Sequence, residues 1–141
     1  MGFRLSIKGQ DNVELVEKNL ETLYFTADTP HDSDARSTDL GATLTVTGKI
    51  LTATDGQAVD DTIKLAKWSN VQAESADSYR DVTGSVIAAG QIVRQYSLPK
   101  AFVVDYTESF DDNEGVGHFS LTVKQKKDLL DTIKLDGGYD A

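Results

Sequence analysis

The chain has 141 residues with 14 Lys plus Arg against 23 Asp plus Glu, a formal net charge of −9, two histidines and no cysteine. That size fits one domain with a real core, and the missing cysteines exclude disulfides and thiolate metal sites. The acidic excess argues against stable nucleic-acid binding, which needs clustered cations; Lys124, Lys126 and Lys127 are only a short basic patch, a solvated strand end that blunts edge pairing.

Phe3–Ile7 alternates apolar and polar residues and predicts a first strand, followed by the turn-like 8-KGQDN-12. Residues 14–26 carry two signals. Val13, Val16 and Leu20 fit a helical face, whereas 22-TLYFT-26 favours a strand, and most of the segment is read as strand. Residues 27–39 are polar, contain Pro30 and lack any period, so they predict a long exposed loop. Between Leu40 and Thr52, Leu44, Val46 and Ile50 interleave with Thr43, Thr45, Thr47 and Lys49, the pattern of a strand with one wet face. Asp60 or Asp61 can cap a short helix in which Ile63, Ala66 and Lys67 share a face and Leu65 pairs with Trp68 at i, i+3.

Tyr79–Ile87 and Gln91–Leu98 read as a hairpin through Ala88-Ala89-Gly90. A long ribbon follows. Pro99 opens its first arm, where a missing N–H is tolerated, and Ala101 and Val103 alternate with Phe102, Val104 and Tyr106. Asp111, Asp112, Asn113, Glu114, Gly115 and Gly117 supply the turn, and Phe119, Leu121 and Val123 alternate in the return arm. Leu129, Leu130, Ile133 and Leu135 predict a last turn or strand, ended by 136-DGG-138. Short strands around one helix predict a mainly β domain over residues 1–141, an antiparallel barrel or sandwich with one short flanking α-helix.

Catalytic chemistry finds little support. His31 sits among Asp28, Asp32 and Asp34, but the spacing matches no metal-site pattern, and a polar acidic loop is the simpler reading. His118 follows Gly117 at a strand start and reads as a solvent-side residue. Asp111, Asn113 and Gly115 resemble a calcium loop only in their alternation, since the twelfth position is Thr122 where a bidentate Glu belongs. Asp105 and Glu108 fall on opposite faces of a regular strand and cannot pair as acid and base. No glycine-rich turn opens a helix to cradle phosphate. The expectation is therefore a non-enzyme without metal or cofactor. Two ribbon arms of about ten residues span on the order of 30 Å and need something to lie against, which a second copy can supply by continuing the sheet. No apolar run reaches the roughly 20 residues of a membrane span and residues 1–25 lack signal-peptide character, so synthesis in the cytoplasm without membrane insertion is expected.

The runs 78-SYRDVT-83, 90-GQIVR-94, 98-LPKAFVVDYTE-108, 115-GVGHF-119 and 124-KQKK-127 resemble the tube-forming family of haemolysin-coregulated protein (Hcp), which includes tail-tube proteins of phages and of contractile injection systems such as type VI secretion. The resemblance covers residues 78–138, and the first half matches in strand order and in the mid-chain helix. It implies a small β-barrel that forms six-membered rings stacked into a hollow tube, with sheath, baseplate or spike proteins and cargo as partners, inside a tail-like particle or a secreted tube. A long loop in such proteins reaches the next ring. The 27–39 loop (Pro30, His31, Asp32) and the 109–117 turn (Asp111, Asp112, Asn113, Glu114) are the segments this assigns to subunit contacts. A single-ring baseplate or adaptor protein, or a monomeric β-barrel binding module using the His31 loop, are the alternatives. An acidic wall would repel an anionic passenger.

Overall fold

The computed structural model describes residues 1–9, 12–28, 41–50, 62–71, 78–112, 116–125 and 134–136. Among them lie eight strands and one helix: β1 (Gly2–Lys8), β2 (Val13–Leu15), β3 (Leu20–Asp28), β4 (Gly41–Ile50), α1 (Thr62–Ser69), β5 (Arg80–Ala88), β6 (Gln91–Phe110), β7 (Gly117–Gln125) and β8 (Lys134–Asp136). The strands run antiparallel in the order β2-β1-β5-β6-β7-β4-β3, with β8 beside β6. The expected antiparallel β architecture with one short helix is what the chain forms.

Residues 14–26 resolve into β2, a turn in which Asn19 N–H donates to Val16 O (2.9 Å), and β3. Strand character therefore prevails there. The larger difference concerns β6. Two strands were expected to meet at Pro99, but a single 20-residue strand runs through it. Its pairing explains how. Val82 faces Leu98 and Arg80 faces Ala101, so one extra β6 residue is accommodated at Pro99-Lys100. Lys100 takes a positive φ of 57° and its N–H donates to Asp81 Oδ1 (3.0 Å). A proline fits such a bulge because the ladder asks no donor of it.

A second bulge lies at Val104, since Val103 faces Val123 and Asp105 faces Thr122. It corrects the expected alternation: Tyr106, predicted on the face of Phe102 and Val104, joins the face of Ala101 and Val103 and packs on the core. Bulges bend a strand and increase its twist. Here they carry β6 from one half of the sheet, β2-β1-β5-β6, into the other, β6-β7-β4-β3. The halves close on one another: Phe25 of β3 stacks on Tyr96 of β6 at 4.5 Å, and β1 and β3 come into contact without pairing.

Between the halves sit Leu5, Ile7, Leu44, Val46, Val82, Leu98, Leu121 and Val123, all nearly inaccessible to water. α1 seals one side by burying Thr62, Leu65 and Trp68, which bears out the Leu65–Trp68 pair, and it leaves Ile63 half exposed. The candidate caps Asp60 and Asp61 lie outside the described residues. At the β5–β6 hairpin, Ala89 (φ 53°) and Gly90 (φ 75°) both adopt left-handed backbone, as a tight hairpin turn requires. Asparagine tolerates that region better than alanine. Ala89→Asn is expected to stabilise the fold by roughly 0.5–1 kcal/mol, measured as a raised midpoint in urea unfolding.

Candidate subunit interface

Among the described residues, the half-sheet β6-β7-β4-β3 has no further strand on either outer side. Ala101 is the last β6 residue laddered to β5, so residues 102–110 have no strand on that edge among the described residues. β3, residues 20–28, ends the sheet on the other side among the described residues. Each open edge is therefore nine residues long. Edge strands of that length present unpaired N–H and C=O groups and are templates for another chain.

One face of this half-sheet packs the core through Leu23, Phe25, Leu44, Val46, Phe119, Leu121 and Val123. The other is built of rows across four strands: Thr22-Thr47-Ser120-Thr107, then Tyr24-Thr45-Thr122-Asp105, then Thr26-Thr43-Lys124-Phe102. Hydroxyls dominate, and they bond to one another between strands, Thr22 to Thr47 and Thr45 to Thr122 (3.3 Å). Beyond the first row, Lys49 faces His118, which faces Ser109. His118 Nδ1 lies 3.2 Å from Glu21 Oε1, tying β7 to β3 over the intervening β4. His118 lies on the solvent side as expected and makes a cross-strand contact there.

β6 and β7 project past the core as a ribbon end. Glu108, Ser109, Phe110, Asp111 and Asp112 are all exposed, and Tyr106 Oη–H donates to Glu108 Oε1 (2.7 Å). The ring of Phe110 lies over Gly117, where a side chain would collide with it, yet remains 68% exposed. At the other end of the same β6 segment, a cavity of about 200 Å³ is lined by Trp68, Ser69, Tyr79, Phe102 and Val103. Tyr79 and Phe102 meet there edge to face at 6.0 Å.

Of the contact segments expected from sequence, Asp111 and Asp112 sit at the exposed ribbon end. Pro30, His31, Asp32, Asn113 and Glu114 lie outside the described residues. Asp105 and Glu108 point to opposite faces, Asp105 beside Thr122 and Glu108 beside Phe119, as the strand period implied. That a second copy could continue the sheet was expected, but which strands form its edges was not, because strand order across a sheet is a long-range property. Their only local signal is the Thr-Leu-Tyr-Phe-Thr alternation of residues 22–26, which leaves a tyrosine on a wet face.

No family model matches the chain, and no curated protein matches it in sequence. Solved structures do. Hcp1 from Flavobacterium johnsoniae is 17% identical with a TM-score of 0.56, the match covering 100% of both chains. A chain of the six-fold symmetrised anti-feeding prophage baseplate is 12% identical over 96% of this chain and 93% of its own, with a TM-score of 0.55. A chain of the sheath–tube complex of PVC, an extracellular contractile injection system, is 14% identical over 97% and 89%, with a TM-score of 0.53. The chain has the Hcp-like tail-tube fold.

Proposed function

We propose that this protein is a structural subunit whose copies join edge to edge into rings of six, which stack into the hollow tube of a phage-tail-like or contractile injection machine. The observation that carries the reading is the half-sheet whose two outer strands have, among the described residues, no further partner, with edges equal in length and antiparallel to each other. Rotation about an axis along the strands brings the β3 edge of one copy to the β6 edge of the next without changing strand direction. The joint then continues the antiparallel alternation, and a head-to-tail contact of this kind closes into a ring.

Size decides which face is inside. Six copies of four strands at ~4.8 Å spacing give a circumference of roughly 115 Å and a diameter near 37 Å. The second half-sheet and α1 add about 20 Å of thickness per copy, at ~10 Å per layer. Six such masses cannot fit within that circle. They lie outside, and the threonine rows face the channel.

That wall is hydroxyl-rich and close to neutral: its rows and margin carry Lys49 and Lys124 against Asp105, with Glu21 matched to His118. These rows carry no acidic excess of their own. Such a lining neither grips nor repels a passenger by charge. The role is geometric and not catalytic. Sheath, baseplate or spike proteins would meet the outer surface and the tube ends, and the subunit would be made in the cytoplasm before joining its particle.

Sedimentation velocity tests this reading. The 15.3 kDa chain is expected to sediment near 92 kDa (~six copies) or above at micromolar concentration. A monomer at every concentration would overturn it. The likeness to a baseplate chain supports a second reading, a single ring that does not stack. Assemblies that stop at six distinguish it from a tube.

A further inference from the structure

We infer that β3 of one copy seats on β6 of the next in a single register, in which Tyr24 lies opposite Thr107, Thr26 opposite Asp105 and Leu20 opposite Phe110. The inference rests on the edge-to-edge ring proposed above and adds how far each copy is shifted along its neighbour. Both edges have the same make-up. One of the nine β3 residues, Glu21, is taken up by the bulge between Leu20 and Thr22, and one of residues 102–110, Val104, by the bulge between Val103 and Asp105. Eight pairing positions remain on each side.

Within one copy, the ladders through β4 and β7 set Tyr24 level with Asp105 and Thr26 level with Phe102. Joining copies at that level would carry Ala27 and Asp28 past Phe102, where Arg80 already pairs with Ala101 and Tyr79 packs on the Phe102 ring. A shift of one residue would set the hydroxyl face of one copy against the core face of the next. A shift of two, toward the ribbon end, brings Asp28 up to the stop at Phe102 and Leu20 to Phe110, so all eight positions pair. A shift of four leaves Phe102 and Val103 uncovered and carries Leu20 and Thr22 beyond Phe110.

The two-residue shift also suits the side chains. Phe110, 68% exposed in one copy, gains Leu20 beside it, and Phe25 comes beside Tyr106 on the core face. On the hydroxyl face, Thr26 meets Asp105, the one carboxylate of the three rows, and its O–H can donate to it. Cross-strand pairs of these kinds stabilise a sheet, and every joint repeats them. Closing a sheet into a cylinder requires stagger between strands, and two residues supply about 7 Å per joint.

The absence of native cysteine makes the register directly readable. Residues directly opposite on paired strands lie ~4.5–5.5 Å apart at Cα, within disulfide range. The double variants Tyr24→Cys with Thr107→Cys, and Thr26→Cys with Asp105→Cys, oxidised in the assembled state, are each expected to give a ladder of covalent multimers on a non-reducing gel. Tyr24→Cys with Asp105→Cys, the unshifted register, and Tyr24→Cys with Ser109→Cys, the four-residue shift, are expected to give none. Sedimentation of each variant before oxidation shows whether rings have formed. Rings that cross-link only through either of the last two pairs, or through no pair, would overturn this register and leave the ring standing. Monomers that neither sediment as rings nor cross-link would end both claims.

Discussion

Trp68→Ala will lower the free energy of unfolding by about 3–5 kcal/mol, the cost of removing a large aromatic side chain from a packed site. Trp68 is 2% exposed and is the largest fully buried side chain. It joins α1 to the sheet in three ways: its indole Nε1–H donates to Ser78 O (3.2 Å), the Arg80 guanidinium stands 5.3 Å over its ring, and it lines the cavity with Tyr79 and Phe102. Alanine keeps none of these, and α1 holds only Leu65 and Thr62 as further buried residues. A domain of this size loses roughly 3–4 °C of midpoint per kcal/mol, so thermal unfolding followed by far-ultraviolet circular dichroism should fall by about 10–15 °C. A shift under 3 °C would mean that the helix contributes little to holding the sheet closed.

Gly48→Val is the second large loss, on the order of 3 kcal/mol. Gly48 is buried where β3 begins beside β4. A Cβ there would run into the backbone oxygen of Asn19 and come within 2.8 and 2.9 Å of the Phe119 ring. That oxygen accepts the Lys49 N–H at 2.6 Å, so it cannot retreat without breaking the bond that starts the β3–β4 pair. Equilibrium urea unfolding should show a lower midpoint with an unchanged slope. Because β3 is an edge of the proposed interface, the same variant should also assemble less well, and normal stability would show that the β3 start can move aside.

Much of this architecture is legible in local pattern. The Leu44, Val46 and Thr43, Thr45, Thr47 alternation gives β4 both its buried and its wet face, and Leu65 with Trp68 marks the buried stripe of α1. What local pattern does not carry is pairing. Pro99 looks like a strand start because proline lacks an N–H; that it sits inside a continuous strand depends on Asp81 across the ladder receiving the Lys100 N–H. Likewise the bulge at Val104, which turns Tyr106 inward, exists only relative to β7. The open edges follow from strand order, which no short stretch encodes. The tube-family resemblance was legible in the second half of the chain, while the surface that best supports assembly also draws on β3 and β4 from the first half.

The most direct test is electron microscopy of the purified, assembled protein viewed end on. Class averages are predicted to show rings of one diameter with six-fold symmetry and a central hole, and maps at side-chain resolution to show an unbroken β wall in which the β3 edge of each copy abuts residues 102–110 of its neighbour. Isolated compact particles, or rings joined through α1 with both sheet edges left in solvent, would contradict the account.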